Sequence, residues 1–223
     1  MKIEIESNLI RHVLKKVYFI NGTAYAGKST MVKLLAEKYD GICCGENYHD
    51  ALMEAIDPVH QPNLSYFETM SGWQEFISRT PEEYEAWVDG VSREAAELEI
   101  IILLQLAAQN RRIFVDTNIP LPILKQIAGY HNVAILLSPQ SMSVDRFFDR
   151  EDPEKQFLLQ KIQEAPNPAE AMANFRSCIA RVNSPERYRA FAESGWFTIV
   201  RRENSTKEGT LSQLETHFRL KEV

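Results

Sequence analysis

Residues 17–35 read VYFINGTAYAGKSTMVKLL, and this stretch decides the fold. Its first four residues, Val17-Tyr18-Phe19-Ile20, form a short apolar run, which predicts a strand buried on both faces, as in a parallel sheet. A glycine-containing turn follows. Met31, Leu34 and Leu35 then recur at helical spacing and predict a helix over residues 28–39. A strand, a turn and a helix in immediate succession indicate the start of an α/β unit.

The turn matches the pattern G-x-x-x-x-G-K-[ST] at every fixed position. Glycines let a backbone wrap around phosphate oxygens, successive N–H groups form an anion nest, and the helix N-terminus adds partial positive charge. We expect Lys28, exposed when no nucleotide is bound, to reach the β- and γ-phosphates, and Ser29 to bind Mg²⁺. The alternative is a simple glycine turn, which needs neither side chain. The predicted phosphate-binding residues are Gly22, Thr23, Ala24, Tyr25, Ala26, Gly27, Lys28, Ser29 and Thr30.

The rest of the chain predicts four more strands, at residues 42–44, 113–115, 133–137 and 196–200. Helical segments separate the later strands, so we expect parallel strands joined by right-handed crossovers. Thr80 and Glu83 form a capping box that opens a long helix reaching about Asn110, with Gly90 as a potential kink and an apolar second half that should enter the core. The prediction is a three-layer α/β fold with about five parallel strands flanked by helices.

We expect a single domain over residues 1–223. Its core comprises residues 16–44, 98–137 and 196–220, and two insertions separate these segments. The first insertion, residues 45–97, follows the second strand. The second insertion, residues 138–195, follows the fourth strand and is rich in arginine.

Asp116 directly follows the apolar run Ile113-Phe114-Val115. A buried parallel strand delivers such a carboxylate to the carboxyl edge of the sheet, where it can bind Mg²⁺ together with Ser29. The alternative is a helix cap, because residues 117–120 lead into a predicted helix at 121–128. We favour the metal role.

Composition narrows the function classes. The 223 residues are 44% hydrophobic and 25% charged, which is enough for a sizeable core and argues against disorder. The net charge of −6 makes nucleic acids and acidic membranes poor partners, because binders of polyanions are usually basic. The three cysteines, Cys43, Cys44 and Cys178, form no C-x-x-C pair, and the simplest interpretation is reduced thiols in a cytoplasmic protein.

In the loop at residues 22–30 and in the run Val115-Asp116-Thr117-Asn118-Ile119-Pro120, the sequence resembles the nucleoside monophosphate kinase-like group of P-loop kinases. The second segment looks like the D-G-F-P-R segment of adenylate kinases. The resemblance implies ATP and Mg²⁺ as cofactors, an acceptor-binding insertion after strand two and an arginine-bearing lid after strand four. Leu121 stands where the arginine of D-G-F-P-R holds an acceptor phosphate, which argues against a nucleotide as acceptor.

The lid candidates are Arg146 and Arg150, four residues apart and therefore on one face of a helix. Two guanidinium groups can stabilise the charge that develops on a transferring phosphoryl group. The alternative is pairing with nearby aspartates on a solvated helix. Arg176 and Arg181 are weaker candidates of the same kind.

Residues 41–78 contain no lysine or arginine but six carboxylates: Glu46, Asp50, Glu54, Asp57, Glu68 and Glu75. Because an anionic acceptor should meet cationic side chains, this composition favours a neutral or cationic acceptor that stacks on Tyr48, Trp73 or Phe76. Arg79 or Arg93 could still supply positive charge. Glu46 or Asp50 could orient an acceptor hydroxyl and take its proton. Alternatively, both complement the dipole of a following helix.

The predicted function is an ATP-dependent phosphotransferase acting on a hydroxyl of a small molecule. A signalling GTPase would need an N-K-x-D segment, which is absent from the sequence, and motor ATPases usually place a glutamate where Thr117 follows Asp116. A nucleoside monophosphate kinase, a P-loop ATPase and a nucleotide-binding regulatory module remain as alternatives.

Overall fold

The computed structural model describes residues 5–139, 147–148, 153–202 and 204–220. Five strands form one sheet in the order β2-β3-β1-β4-β5, and every neighbouring pair is parallel. The predicted α/β class with a parallel sheet is therefore confirmed. The strands are β1 Val17–Gly22, β2 Ile42–Cys44, β3 Ile113–Asp116, β4 Val133–Leu137 and β5 Phe197–Val200.

Helices lie on both faces of the sheet. Those in the described ranges are α1 Ser7–Val13, α2 Lys28–Lys38, α3 Tyr66–Thr69, α4 Trp73–Ile77, α5 Pro81–Ala107, α6 Leu121–Ile127, α7 Pro153–Gln163, α8 Pro168–Val182, α9 Pro185–Ala192 and α10 Lys207–His217. Short 3₁₀ helices span Tyr48–Ala55 and Tyr130–Asn132. None of these helices is both long enough and apolar enough to cross a bilayer.

Alternation along β1 builds two separate cores. Phe19 packs with Leu103, Val115 and Ile135 on one face of the sheet. Its neighbour Ile20 points to the other face, where α2 and α10 cover the sheet with residues that include Leu35 and Leu214. The strand is hydrophobic at successive positions because both faces are buried.

The long helix α5 begins at the predicted capping box, where Thr80 accepts from the Glu83 amide and the Glu83 side chain accepts from the Thr80 amide. The helix runs without interruption through Gly90 and ends at Ala107, three residues before the predicted end. The apolar second half enters the core as expected, since Leu103 is fully buried there. One side of it stays in contact with solvent, where Ile101 is 48% exposed, and the charged Glu99 is buried instead.

A third cluster of buried side chains joins the two insertions. Phe76 and Tyr84 from the first insertion pack against Phe175, Cys178 and Ile179 of α8 in the second. The helices α5 and α8 lie along each other and carry most of this contact. The two insertions therefore share a core of their own beside the sheet.

Candidate functional site

The loop at residues 22–29, called the 22–29 loop below, is fixed to the end of β4. Gly22 has a φ of 130°, and a Cβ atom there would lie 1.9 Å from the carbonyl oxygen of Leu136, so no side chain fits. The Thr23 amide donates to that same oxygen at 3.0 Å. The Ser138 amide donates to Thr23 Oγ1 at 2.8 Å, and Ser138 Oγ donates to the Ala24 carbonyl at 2.6 Å. These contacts hold the first half of the loop rigidly against the sheet.

The second half of the loop leads into α2, and no side chain caps the first turn of that helix. Tyr25 and Gly27 take left-handed backbone conformations, with φ of 63° and 92°. Gly27 is the N-cap residue, and no side chain caps the helix. The first amides of a helix have no intrahelical partner, so they are available to an anion. Arg201, which follows β5, donates to the Tyr25 carbonyl at 2.7 Å and brings a cation beside the loop.

Three predicted side chains meet at the carboxyl edge of the sheet. Ser29 Oγ donates to Asp116 Oδ2 at 2.5 Å, and Lys28 Nζ lies 3.8 Å from Asp116 Oδ1. Lys28 is only 9% exposed, so the expectation of an exposed lysine is wrong. The reason is that the end of β3 lies beside the first turn of α2 and offers the ammonium group a carboxylate.

Asp116 is fully buried, and its pKa is raised because burial disfavours the charged form. Lys28 and the Ser29 hydrogen bond oppose this rise, whereas repulsion from Glu46 and Glu99 adds to it. Within the described part of the chain, Asp116 Oδ1 is buried and accepts no hydrogen bond. A buried carboxylate oxygen without a donor, next to a serine hydroxyl, fits Mg²⁺, which binds one or two carboxylates and completes its shell with water and phosphate.

Of the two predicted proton acceptors, the structure places one at this edge. Glu46 Oε1 accepts from Asn118 Nδ2 at 3.2 Å, two residues beyond Asp116. Asp50 lies in the first turn of the 3₁₀ helix and its side chain is 69% exposed, which fits the alternative of a helix-dipole role.

A buried carboxylate that the sequence analysis missed lies beside Asp116. Glu99 of α5 is 2% exposed, and its Oε2 accepts from Thr117 Oγ1 at 2.9 Å and from the Tyr48 hydroxyl at 3.0 Å. Its Oε1 lies 3.2 Å from Nδ1 of His49. The available signal was the spacing of Glu99, which lies four residues after Ala95 and three before Ile102 and therefore on the same buried helix face.

The aromatic side chains expected to line an acceptor pocket do not form an open stacking surface. Burial raises the pKa of the Tyr48 phenol, which therefore stays protonated and donates to Glu99. Phe76 is 4% exposed within the third cluster. The Arg79 guanidinium lies 3.8 Å from the centre of the Tyr66 ring and also faces Trp87. The expectation is wrong for Phe76, which Phe175 of α8 covers, and for Tyr48, whose hydroxyl binds Glu99 of α5. Trp73 is half-buried and stacks on Phe67, with ring centres 5.3 Å apart.

Arg146 and Arg150, the predicted lid arginines, lie outside the described residues. Arg181 binds Glu85 through its Nε at 2.7 Å and lies 3.5 Å from Glu82, which is the ion-pair alternative rather than a phosphate contact. Arg176 is exposed on α8.

A pocket of about 140 Å³ adjoins the 22–29 loop. It lies between the start of α2 and the segment after β5, and its lining includes Gly27, Thr30, Ile199, Arg201 and Thr206. A larger cavity of about 300 Å³ lies at the opposite edge of the sheet, near Lys16 and Asn110. Only the smaller pocket is continuous with the loop.

No protein-family model matches the chain, and no curated protein matches it at a significant level.

Proposed function

We propose that the chain adopts a P-loop kinase fold, binds Mg-ATP at the 22–29 loop and transfers the γ-phosphoryl group to a hydroxyl of a small neutral or cationic molecule. One observation carries the proposal: Lys28, Ser29 and Asp116 converge within hydrogen-bonding or ion-pair distance at the carboxyl edge of a parallel sheet. A glycine turn without a ligand needs none of these three side chains.

In the proposed reaction the first amides of α2 hold the phosphates, and Lys28 exchanges part of its contact with Asp116 for the β- and γ-phosphates. Ser29 and Asp116 would hold Mg²⁺, which when bound neutralises charge on the phosphate oxygens. The 140 Å³ pocket beside Gly27 supplies a place for the base or ribose.

The carboxylates around Asp116 support a neutral or cationic acceptor. Glu46 and Glu99 both lie close enough to Asp116 to raise its pKa by repulsion. A dianionic acceptor placed among them would add like charges, at roughly 4 kcal/mol for each pair 4 Å apart at an effective dielectric constant of 20. An amine or a neutral polyol avoids that cost.

The test measures ADP release from Mg-ATP with and without a panel of nucleosides, amino sugars and other hydroxylated amines, each paired with its phosphorylated form. Stimulation by an unphosphorylated member, absent in Lys28→Ala, supports the proposal. A tenfold preference for nucleoside monophosphates would instead support a nucleoside monophosphate kinase, with Arg79 or Arg93 as the source of charge.

A second candidate is an ATPase. It is favoured by Glu99, whose carboxylate binds the side chain of Thr117, the residue directly after Asp116. ATP hydrolysis that no acceptor stimulates, and that Glu99→Gln abolishes while ATP still binds, would select this candidate.

A further inference from the structure

The buried Glu99 holds the imidazole of His49 in a defined orientation. A carboxylate only accepts hydrogen bonds, so the contact of 3.2 Å between Glu99 Oε1 and His49 Nδ1 requires the proton on Nδ1. The other ring nitrogen, Nε2, then carries a free lone pair. The imidazole is 13% exposed. Both carboxylate oxygens of Glu99 are held in place, because Thr117 and Tyr48 donate to Oε2 while His49 donates to Oε1.

In this orientation the basic nitrogen lies on the Asp50 side of the ring and not on the Glu99 side. Among the described residues Nε2 has no hydrogen-bond partner, and its nearest charged group is Asp50 Oδ1 at 3.9 Å, on a side chain that is 69% exposed. Glu99 links the ring to the proposed phosphate site, because it also accepts from Thr117, the residue after Asp116, and its charge raises the pKa of Asp116. A carboxylate that holds a histidine with its second nitrogen free is an arrangement that performs general-base chemistry.

We propose that His49 is the general base of the proposed phosphoryl transfer and that Glu99 is its positioning residue. This inference rests on the proposed function. His49 Nε2 takes the proton of the acceptor hydroxyl as that oxygen forms a bond to the γ-phosphorus. The bond from the γ-phosphorus to the β–γ bridging oxygen breaks at the same time. The products are the phosphorylated acceptor, ADP and protonated His49.

The electrostatics around the ring agree with this role. The hydrogen bond that His49 donates to Glu99 raises the pKa of His49, and burial of the ring opposes the rise. Asp50, on the same 3₁₀ helix, adds a smaller increase, and within the described ranges Glu99 of α5 is the other charged group that acts on the ring. A raised pKa makes neutral His49 a stronger base, and it predicts that activity falls when the pH drops through that pKa.

The test compares His49→Gln with a matched control, His60→Gln. His60 belongs to the same insertion and also pairs with a carboxylate, Asp57, at 2.7 Å, but it is 73% exposed. The assay is ADP release as a function of pH with the best acceptor of the panel, or with water if no acceptor stimulates release. Binding of a fluorescent ATP analogue and circular dichroism report on folding.

We expect His49→Gln to lower kcat about 100-fold or more, with nucleotide affinity unchanged and the acidic limb of the pH profile lost. His60→Gln should behave as the wild type. Glu99→Gln should move the acidic limb to lower pH, because the charge that raises the His49 pKa is gone. In the wild type, the acidic limb of kcat/KM should coincide with the His49 pKa measured by NMR, which needs no disruptive variant.

The outcomes separate the two proposals. Wild-type kcat in a folded His49→Gln, or an acidic limb that differs from the NMR pKa of His49, overturns the inference and leaves the kinase proposal intact. Release that no acceptor stimulates overturns the kinase proposal, while the same variants still test His49 with water as the nucleophile. No release under any condition overturns both.

Discussion

Replacing Lys28 with Ala separates the electrostatic role of this lysine in the folded protein from its proposed role in turnover. Lys28 is 9% exposed and its Nζ lies 3.8 Å from Oδ1 of the fully buried Asp116. The substitution removes the cation and leaves the carboxylate in place. A buried charge without its partner destabilises the folded state more than the intact pair stabilised it, because its desolvation is no longer offset.

The structure sets the size of this effect. Two unit charges 3.8 Å apart attract by about 4 kcal/mol at an effective dielectric constant of 20. Removing one partner of a buried pair costs about 3–5 kcal/mol, and we expect about 3 kcal/mol because Lys28 keeps some solvent contact. For a chain of this length that is a drop in Tm of about 6–12 °C.

The pH dependence identifies the cause. Without Lys28, burial raises the folded-state pKa of Asp116 further above its ordinary value of 3.8. A carboxyl group whose folded pKa is raised contributes stability below its unfolded pKa and loses it as the pH rises through the folded pKa. The deficit of Lys28→Ala should therefore be small near about pH 4 and largest at about pH 7.

The assay is thermal unfolding followed by circular dichroism across that pH range. Lys33→Ala, at an exposed site on the same helix, controls for helix propensity. Lys28→Ala combined with Asp116→Asn should recover most of the lost stability, although ADP release stays absent in both. A deficit that is equal at both ends of the pH range, or absent at pH 7, would falsify the assignment of a buried pair.

Three further outcomes follow from the same contacts. Asp116→Asn should raise the Mg²⁺ concentration needed for ADP release by tenfold or more, and a wild-type Mg²⁺ titration would instead favour a capping role. In the wild type the Mg²⁺ concentration needed for ADP release should rise as the pH falls, because protons and metal compete for Asp116. The rise should begin above the pH at which an ordinary aspartate titrates, because the pKa of Asp116 is raised. Gly90→Ala, which normally stabilises a helix, should destabilise the fold by about 1–3 kcal/mol in urea unfolding, because the new Cβ would lie 2.3 Å from Asn63 and Glu94 holds that side chain in place. A neutral or stabilising result would show that Asn63 moves aside freely.

The sheet could be predicted because local sequence determines its strands. Each apolar run is short, follows a turn or a helix, and has bounds within two residues of the observed strand, as Val17–Gly22 and Phe197–Val200 show. The convergence of Ser29 with Asp116 was also predictable, since a loop after β1 and the end of its neighbour β3 must meet at one edge of a parallel sheet.

The Glu99 and His49 pair could not be predicted in this way. The two residues are fifty positions apart and belong to different segments, and only the packing of α5 over the 3₁₀ helix brings them together. Burial of Phe76 has the same origin, because Phe175 of α8 helps to enclose it from the second insertion. Sequence patterns predict which face of a helix or strand is buried, whereas these contacts depend on which helices and strands become neighbours in the fold.

Fewer of the carboxylates in residues 41–78 are available to an acceptor than the sequence indicates. The sequence suggested that all six carboxylates of residues 41–78 contribute, but two are engaged elsewhere. Glu75 accepts from Tyr66 and Ser71, and these hydrogen bonds lower its pKa to about 2. Asp57 pairs with His60 on the surface. Glu75 stays ionised, but composition alone overstated how many of these carboxylates have oxygens free to bind an acceptor.

Negative potential is concentrated at the sheet edge, and it supports the proposed class of acceptor. Glu46 and Glu99 both repel Asp116, and Lys28 is the one cation within ion-pair distance of Asp116 among the described residues. Bringing three carboxylates together costs the folded state free energy, which fold stability alone does not require, and such perturbed groups concentrate at functional sites. A divalent metal at Asp116 and an amine or a hydroxyl donor beside Glu46 would each relieve that repulsion. A phosphate monoester in the same place would increase it.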